Sequence, residues 1–259
     1  MKGMAEIGLR TNLSKTFVTG HRAQELAEHL GCEARPRGVK ILGPWITPHA
    51  SPTAKESTDE YLQSKLSKHG PFFRDVPLLP QDVAFTLLRF CGVPRWNYFI
   101  RTHDPELAAD AHRTFDCMVA ECFKLITNID PANCTDEQRQ DLITPMKEGG
   151  VGLQSAAMTA EQIYAASKDP AGGDQESRLK KLRDEWFEKL PQSAKKIRRD
   201  NKSHGASTWM QDVSTPTQAY IFNTGIAHRL RYSTIPAVSC EGCHQVNEGY
   251  RSRPRLHEG

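Results

Sequence analysis

No apolar run in this sequence is long enough to cross a bilayer, and the mean hydropathy of −0.58 argues against any membrane partner. Residues 1–10 lack the apolar stretch of a signal peptide, so the chain is expected to be soluble and not secreted. A disulfide framework is missing as well. There are seven cysteines, an odd number, and Cys32, Cys91, Cys117, Cys122 and Cys134 fall in or beside apolar helical patterns. A reducing compartment, nuclear or cytoplasmic, follows. GxSxG, HExxH, P-loop and dinucleotide fingerprints are all absent, which leaves a hydrolase or oxidoreductase without support.

What is present is enough for a core: 259 residues, 38% of them hydrophobic, make one large or two small domains. The net charge of +3 hides an asymmetry. From Arg178 onward 15 Lys+Arg face 8 Asp+Glu, whereas the residues before it hold 19 against 23. A basic C-terminal region is compatible with a polyanionic partner such as nucleic acid.

Periodicity makes the chain mostly α. Residues 16–19 and 39–46 are β-like runs, and between them Ala23, Leu26, Ala27 and Leu30 form an amphipathic stripe closed by Gly31. Residues 47–57 read as a loop, and Tyr61, Leu62 and Leu66 as a short helix ending near Gly70. Pro80 opens another helix, with Ala84, Leu87, Leu88 and Cys91 on one face, that Gly92 and Pro94 should stop. Asp104, Pro105 and Glu106 supply an N-cap, an N1 proline and a first-turn acid for a helix of roughly twenty residues, about 30 Å long. Leu107, Ala111, Phe115, Val119, Cys122, Phe123 and Ile126 run along its apolar stripe. Thr159 and Gln162 suggest a capping box for a short helix through Ser167. Residues 170–175 read as a linker. Beyond it Leu179, Leu182, Trp186, Phe187 and Leu190 form a stripe ended by Pro191, followed by the basic run 195–199. A last helix opens at Thr215-Pro216 and bears Ala219, Phe222, Ile226 and Leu230.

Taken in order, several segments resemble the region after the YxDD strand of non-LTR retrotransposon reverse transcriptases, RNA-directed DNA polymerases. Gly8, Leu9, Asn12, Lys15 and Thr16 resemble the family's GLxxNxxKT segment. Residues 38–43, Gly-Val-Lys-Ile-Leu-Gly, resemble its primer-grip strand, residues 81–89 the helix before its yxxR element, and residues 98–102 that element itself. Phe115-Asp116, Pro145 ahead of residues 149–153, and residues 160–167 follow in the family's order. Residues 219–231, then Cys240 and Cys243, resemble the segment leading to its terminal zinc motif. Each piece alone is a common pattern; their shared order over some 160 residues carries the resemblance.

The resemblance implies a mostly α fold: the end of a palm with its primer-grip strand in residues 1–50 and a thumb-like bundle in 51–168. A linker at 169–175, a basic helical region at 176–239 and a truncated zinc-knuckle-like tail at 240–259 follow. It implies an RNA template and a DNA primer as partners, with the rest of the palm and the fingers missing upstream of Met1. Magnesium, which the full-length polymerase holds on aspartates, is not expected on this fragment, because Asp59, Asp75 and Asp82 form no strand-turn-strand carboxylate pattern. Both ends are expected to be cuts, and the chain alone should not polymerise.

Several residues carry possible chemistry. Lys15 stands where the family places a lysine near the incoming nucleotide. Gly43, with Leu42 and Trp45, could bring backbone close to a primer, or be a simple bulge. Arg101 could pair with a backbone phosphate or hold the Asp104 turn. Asp116, among apolar neighbours, should make an internal hydrogen bond or ion pair that holds its helix. The glycines at 149, 150 and 152 read as a close-approach turn, not a phosphate cradle. Lys195, Lys196, Arg198, Arg199 and Lys202 could follow a phosphate backbone, with Trp209 stacking on a base, or form a solvated face. Cys240-x-x-Cys243 has the spacing of a zinc half-site, with His257, separated from Cys243 by thirteen residues, as third ligand and His244 as an awkward alternative; the fourth ligand is missing. The competing reading is a remnant or domesticated non-catalytic helical module that binds nucleic acid or protein.

Overall fold

Helix caps and apolar stripes place most of the elements in the computed structural model, which describes residues 12–48, 51–202, 237–239 and 246–248. It is mostly helical, with strands only in two-residue and three-residue pairs among the described residues. The chain divides into two compact units: Met1–Ser67 with Thr102–Ala111, and Lys68–Arg101 with His112–Gly259.

In the first unit, strand β1 (Phe17–Val18) leads into helix α1 (Ala23–Leu30), which buries Ala23 and Ala27. Gly31 ends α1 in the left-handed conformation, φ 69°. The Cys32 amide closes back on Ala27 O, and the chain then enters β2 (Glu33–Ala34), which pairs parallel with β1 through Phe17–Glu33 and Val18–Ala34. The expected strand-helix-strand order is therefore present, but β1's partner is β2. The run 39–46 instead folds on itself: β3 (Val39–Lys40) pairs antiparallel with β4 (Trp45–Ile46). Leu42 at φ 52° and Gly43 at φ 119° make the reversal, a geometry that continuous strand cannot contain.

Helix α2 (Ala54–Asp75) corrects two sequence expectations, for it begins inside the expected loop and runs through Gly70 and Pro71. Pro71 lacks an amide and so removes one helical hydrogen bond. Burial of Leu62 and Leu66 before it and of Phe73 after it offsets that loss. The part of α2 through Ser67 belongs to the first unit.

The second unit has an aromatic core. Trp96, Phe85, Phe115 and Phe123 are at most 1% exposed. Trp96 stacks on Phe115 at 5.2 Å, and its indole N–H donates to Nδ1 of the buried His112 at 2.9 Å, which satisfies the one polar atom a buried tryptophan brings. Pro80 does precede helix α3 (Gln81–Leu87), but Gly92 and Pro94 do not end the helical path. The chain passes through a π-helical turn (Leu88–Gly92) and a 3-10 turn (Val93–Trp96) into helix α4 (Asn97–Thr102). Pro94 sits at the start of the 3-10 turn, where its missing amide costs least. Cys91 is exposed, not part of the buried stripe.

Asp104 caps a turn ahead of the long helix α5 (Ala109–Thr127), accepting from the Glu106 amide at 3.0 Å. The expected stripe is buried at Ala111, Phe115, Val119, Cys122, Phe123 and Ile126. Helix α6 (Asp136–Ile143) carries a capping box, Thr135 with Gln138, worth about 1 kcal/mol. The capping box expected at Thr159 is not formed. Thr159 lies inside helix α7 (Ala156–Lys168), and its hydroxyl donates back to the Ser155 carbonyl at 2.6 Å; Ser155 is the N-cap. A 3-10 turn at Pro170–Gly172 and an Asp174 cap connect α7 to helix α8 (Gln175–Glu188), and Pro191 introduces helix α9 (Gln192–Asn201). Strands β5 (Ala237–Ser239) and β6 (Val246–Glu248) pair antiparallel.

Candidate nucleic-acid interface

The β3–β4 hairpin sits on side chains of its own unit. Trp45 stacks on Tyr61 at 5.5 Å, Tyr61 stacks on His103, and the Tyr61 hydroxyl donates to the Gly43 carbonyl. The Trp45 amide donates to His103 Nε2 at 3.1 Å, so the ring carries its proton on Nδ1, beside the Thr102 hydroxyl. Gly43 is therefore a tight-turn glycine with an anchored carbonyl, and Leu42 at the tip is 97% exposed. Lys15 closes the 3-10 turn Leu13–Lys15 and is exposed; that turn is capped by Asn12, whose carboxamide accepts from the Ser14 amide at 3.1 Å.

In the second unit, Arg101 does not hold the Asp104 turn. Its Nε donates to Gln175 at 3.0 Å, and its carbonyl accepts from Ser167 at 2.7 Å. Asp116 projects from α5 to the start of α7, where its carboxylate accepts from the Ser155 hydroxyl at 2.6 Å, the Ala156 amide at 2.7 Å and the Ala157 amide at 3.0 Å. The internal bond expected of Asp116 is thus a helix cap supplied from another helix. Burial pushes its pKa up from the usual aspartate value, against the pull of those three hydrogen bonds.

Helix α9 separates the basic run by face. Ala194 and Ile197 are buried, and beside them Lys195 and Arg198 are buried too, at 7% and 8% exposure. The Lys195 ammonium meets Glu188 at 2.8 Å, while the Arg198 guanidinium bonds the buried Asp141. These two cations are held by the protein and are withdrawn from the phosphate-following set. Lys196, Arg199 and Lys202 remain exposed, three residues apart along one side of the helix. None of the three makes a close ion pair among the described residues, although Arg199 lies 5.6 Å from the centre of the Phe187 ring and its charge helps hold the Glu188 carboxyl below its usual value. Along α8 an open concavity is lined by Lys180, Lys181 and Lys189 against Asp184, Glu185 and Glu188, a balance that gives a polyanion no net attraction.

The glycine run is a packing device. A Cβ on Gly150 would lie 2.0 Å from the Thr144 carbonyl oxygen, and one on Gly149 2.8 Å from the Arg198 carbonyl. Every amide from Glu148 to Leu153 donates inside the turn or to α6, so none is left to cradle a phosphate. Among the described residues no group of three or more His, Cys, Asp or Glu could hold a metal ion. Cys240, Cys243, His244 and His257, Trp209, the first part of the GLxxNxxKT-like segment and the helix expected around 219–231 lie outside the described residues.

Sequence reading passed over one cluster. Phe90 is 57% exposed beside Arg89, and Arg95 lies over the ring of Phe72. The signal was available, since residues 83–103 contain three arginines and no Asp or Glu. No family model, curated protein or solved structure matches this chain.

Proposed function

We propose that this chain is the C-terminal part of a non-LTR retrotransposon reverse transcriptase, running from the end of the palm to a partial zinc motif, and that it grips template-primer nucleic acid. The observation that carries the binding reading is the exposed row Lys196, Arg199 and Lys202 on α9, in which no close ion pair is formed among the described residues. Three cations at helical spacing follow a phosphate backbone without reading its sequence. The ordered resemblance across residues 8–167 supports the family part of the reading, and the sharp Gly43 turn suits close approach of backbone to a primer.

In this reading magnesium, when bound to the polymerase's aspartates, activates the primer hydroxyl and steadies the departing pyrophosphate. Those aspartates are not in this chain. Its own residues position: Lys15 neutralises phosphate near the incoming nucleotide, Gly43 lies along the primer, and Arg101 holds α4 to α8 through Gln175. Cys240, Cys243 and His257 offer three zinc ligands, one fewer than a structural site takes.

The test is direct. The purified chain should bind an RNA template annealed to a DNA primer and, with magnesium and nucleotides present, should not extend it. Extension would place a complete active site inside these 259 residues and refute the assignment. Genomic sequence upstream of the Met1 codon separates this reading from the remnant module: an in-frame YxDD strand favours the polymerase, stop codons throughout favour the remnant.

A further inference from the structure

Residues 83–103 hold three arginines and no Asp or Glu. Elsewhere Arg22, Arg35, Arg37 and Arg198 each sit against a carboxylate. Arg89 and Arg95 have none among the described residues, and both turn to aromatic rings. The Arg89 guanidinium carbon lies 4.6 Å from the centroid of Phe90, and that of Arg95 lies 4.1 Å from Phe72. The two arginines are linked through the π-helical turn. Arg95 Nε donates to the carbonyl of Cys91, the residue after Phe90, at 3.1 Å, and Phe72 lies against Gly92 in the same turn.

The cluster is built to stay where it is. A Cβ at position 152 would lie 2.7 Å from Arg89 Nε, so glycine there leaves the space that the guanidinium occupies. Arg89 Nη1 is buried with no hydrogen-bond partner, and burial lowers the guanidinium's basicity from its usual value. Phe90 meanwhile leaves more than half its surface to solvent.

We infer that Phe90, with Arg89 against its ring and Arg95 tied to the neighbouring Cys91 carbonyl over Phe72, is the centre of a stacking platform for single-stranded nucleic acid, a base lying on the Phe90 ring and the adjoining phosphates meeting the two arginines. The chemistry selects this ligand. Phosphodiesters supply the anion that the segment lacks, and an unpaired base supplies the flat face that an exposed phenyl takes. A duplex keeps its base faces stacked inside, so it would meet the arginines and not the ring. An acidic peptide would neutralise the arginines and leave the ring unused. The inference rests on the nucleic-acid reading above and adds to it a contact that distinguishes single from double strands.

The experiment uses the full chain and measures fluorescence anisotropy with labelled oligouridine RNA and with an RNA–DNA duplex of equal length. Phe90→Ala should weaken oligouridine binding about tenfold, the scale of one lost stacked base, while leaving duplex affinity and both salt slopes unchanged. Phe90→Trp should restore the affinity. Arg95→Gln should flatten the single-strand salt slope by about 0.7, one phosphate contact. Phe90 is exposed, so these variants should melt with the parent. Unchanged oligouridine binding by Phe90→Ala, an equal loss on duplex, or failure of Phe90→Trp to recover would overturn the platform. So would a loss of self-association in Phe90→Ala with RNA binding intact, which would make the patch a protein interface. If the parent chain binds neither probe, the nucleic-acid reading falls with it; if the parent binds both and Phe90→Ala is silent, only the platform falls.

Discussion

From residue 178 to 202 the cations that turn inward are answered by carboxylates: Arg183 by Glu148 at 2.7 Å, Lys195 by Glu188, Arg198 by Asp141. Between residues 83 and 103 there is no acid to answer, and Arg89 and Arg95 settle over Phe90 and Phe72. The comparison separates charge that is counted from charge that is available. The richer basic run gives up two of its five candidate cations to internal pairing, while the sparser segment keeps Arg89 and Arg95 free of carboxylates. Helix faces explain the difference. On α9, Lys195 and Arg198 share the side of Ala194 and Ile197, so they are carried inward with the apolar residues and must find acids there.

The largest expected effect breaks that inward pairing. Asp141→Ala or Arg198→Ala leaves its partner buried and uncompensated, which should cost about 3–5 kcal/mol in denaturant unfolding, with the double variant losing less than the sum. A loss under about 1 kcal/mol would mean that the pair is not buried in solution.

Next comes Asp116→Ala, which strips three donors at the start of α7 of their acceptor and should cost about 1–3 kcal/mol. Its pH dependence has a definite sign. Because the folded-state pKa is raised above 3.8, the protonated form is favoured by folding. That contribution is fully present below the unfolded value and is lost as pH rises through the folded one. The stability gap between the parent and Asp116→Asn, which lacks this titration, should therefore shift in the parent's favour as pH falls through the acid range; a gap that moves the other way contradicts the burial of the carboxylate.

Lys195→Met should cost less than about 1 kcal/mol, since Glu188 is 73% exposed and the pair is partly screened by water. Smallest for stability is the triple substitution of Lys196, Arg199 and Lys202 by alanine, within about 0.5 kcal/mol of the parent by melting. Its effect belongs to binding.

Much of the helical architecture was legible because local signals and burial agree. The Asp104 cap and the 111–126 stripe marked α5, and Asp116 could be read as an internally bonded acid from its apolar neighbours alone. Other elements depended on distant residues. Nothing local tells that Pro71 lies inside a helix, because the burial of Leu62, Leu66 and Phe73 overrides the lost hydrogen bond. Gly92 and Pro94 looked like stops, yet π and 3-10 turns carry the chain past them. At the candidate interface the exposed half of the basic run could be expected, but which half required knowing that α9 meets Asp141 and the Gly149 turn.

Salt dependence of template-primer binding by the full chain tests the central claim most directly. The parent's log affinity should fall linearly with log salt, and the Lys196, Arg199 and Lys202 triple variant should flatten that slope by about 2–3. Absence of binding at low salt, or a slope that the triple substitution leaves unchanged, would contradict the assignment of α9's exposed face to a nucleic-acid backbone.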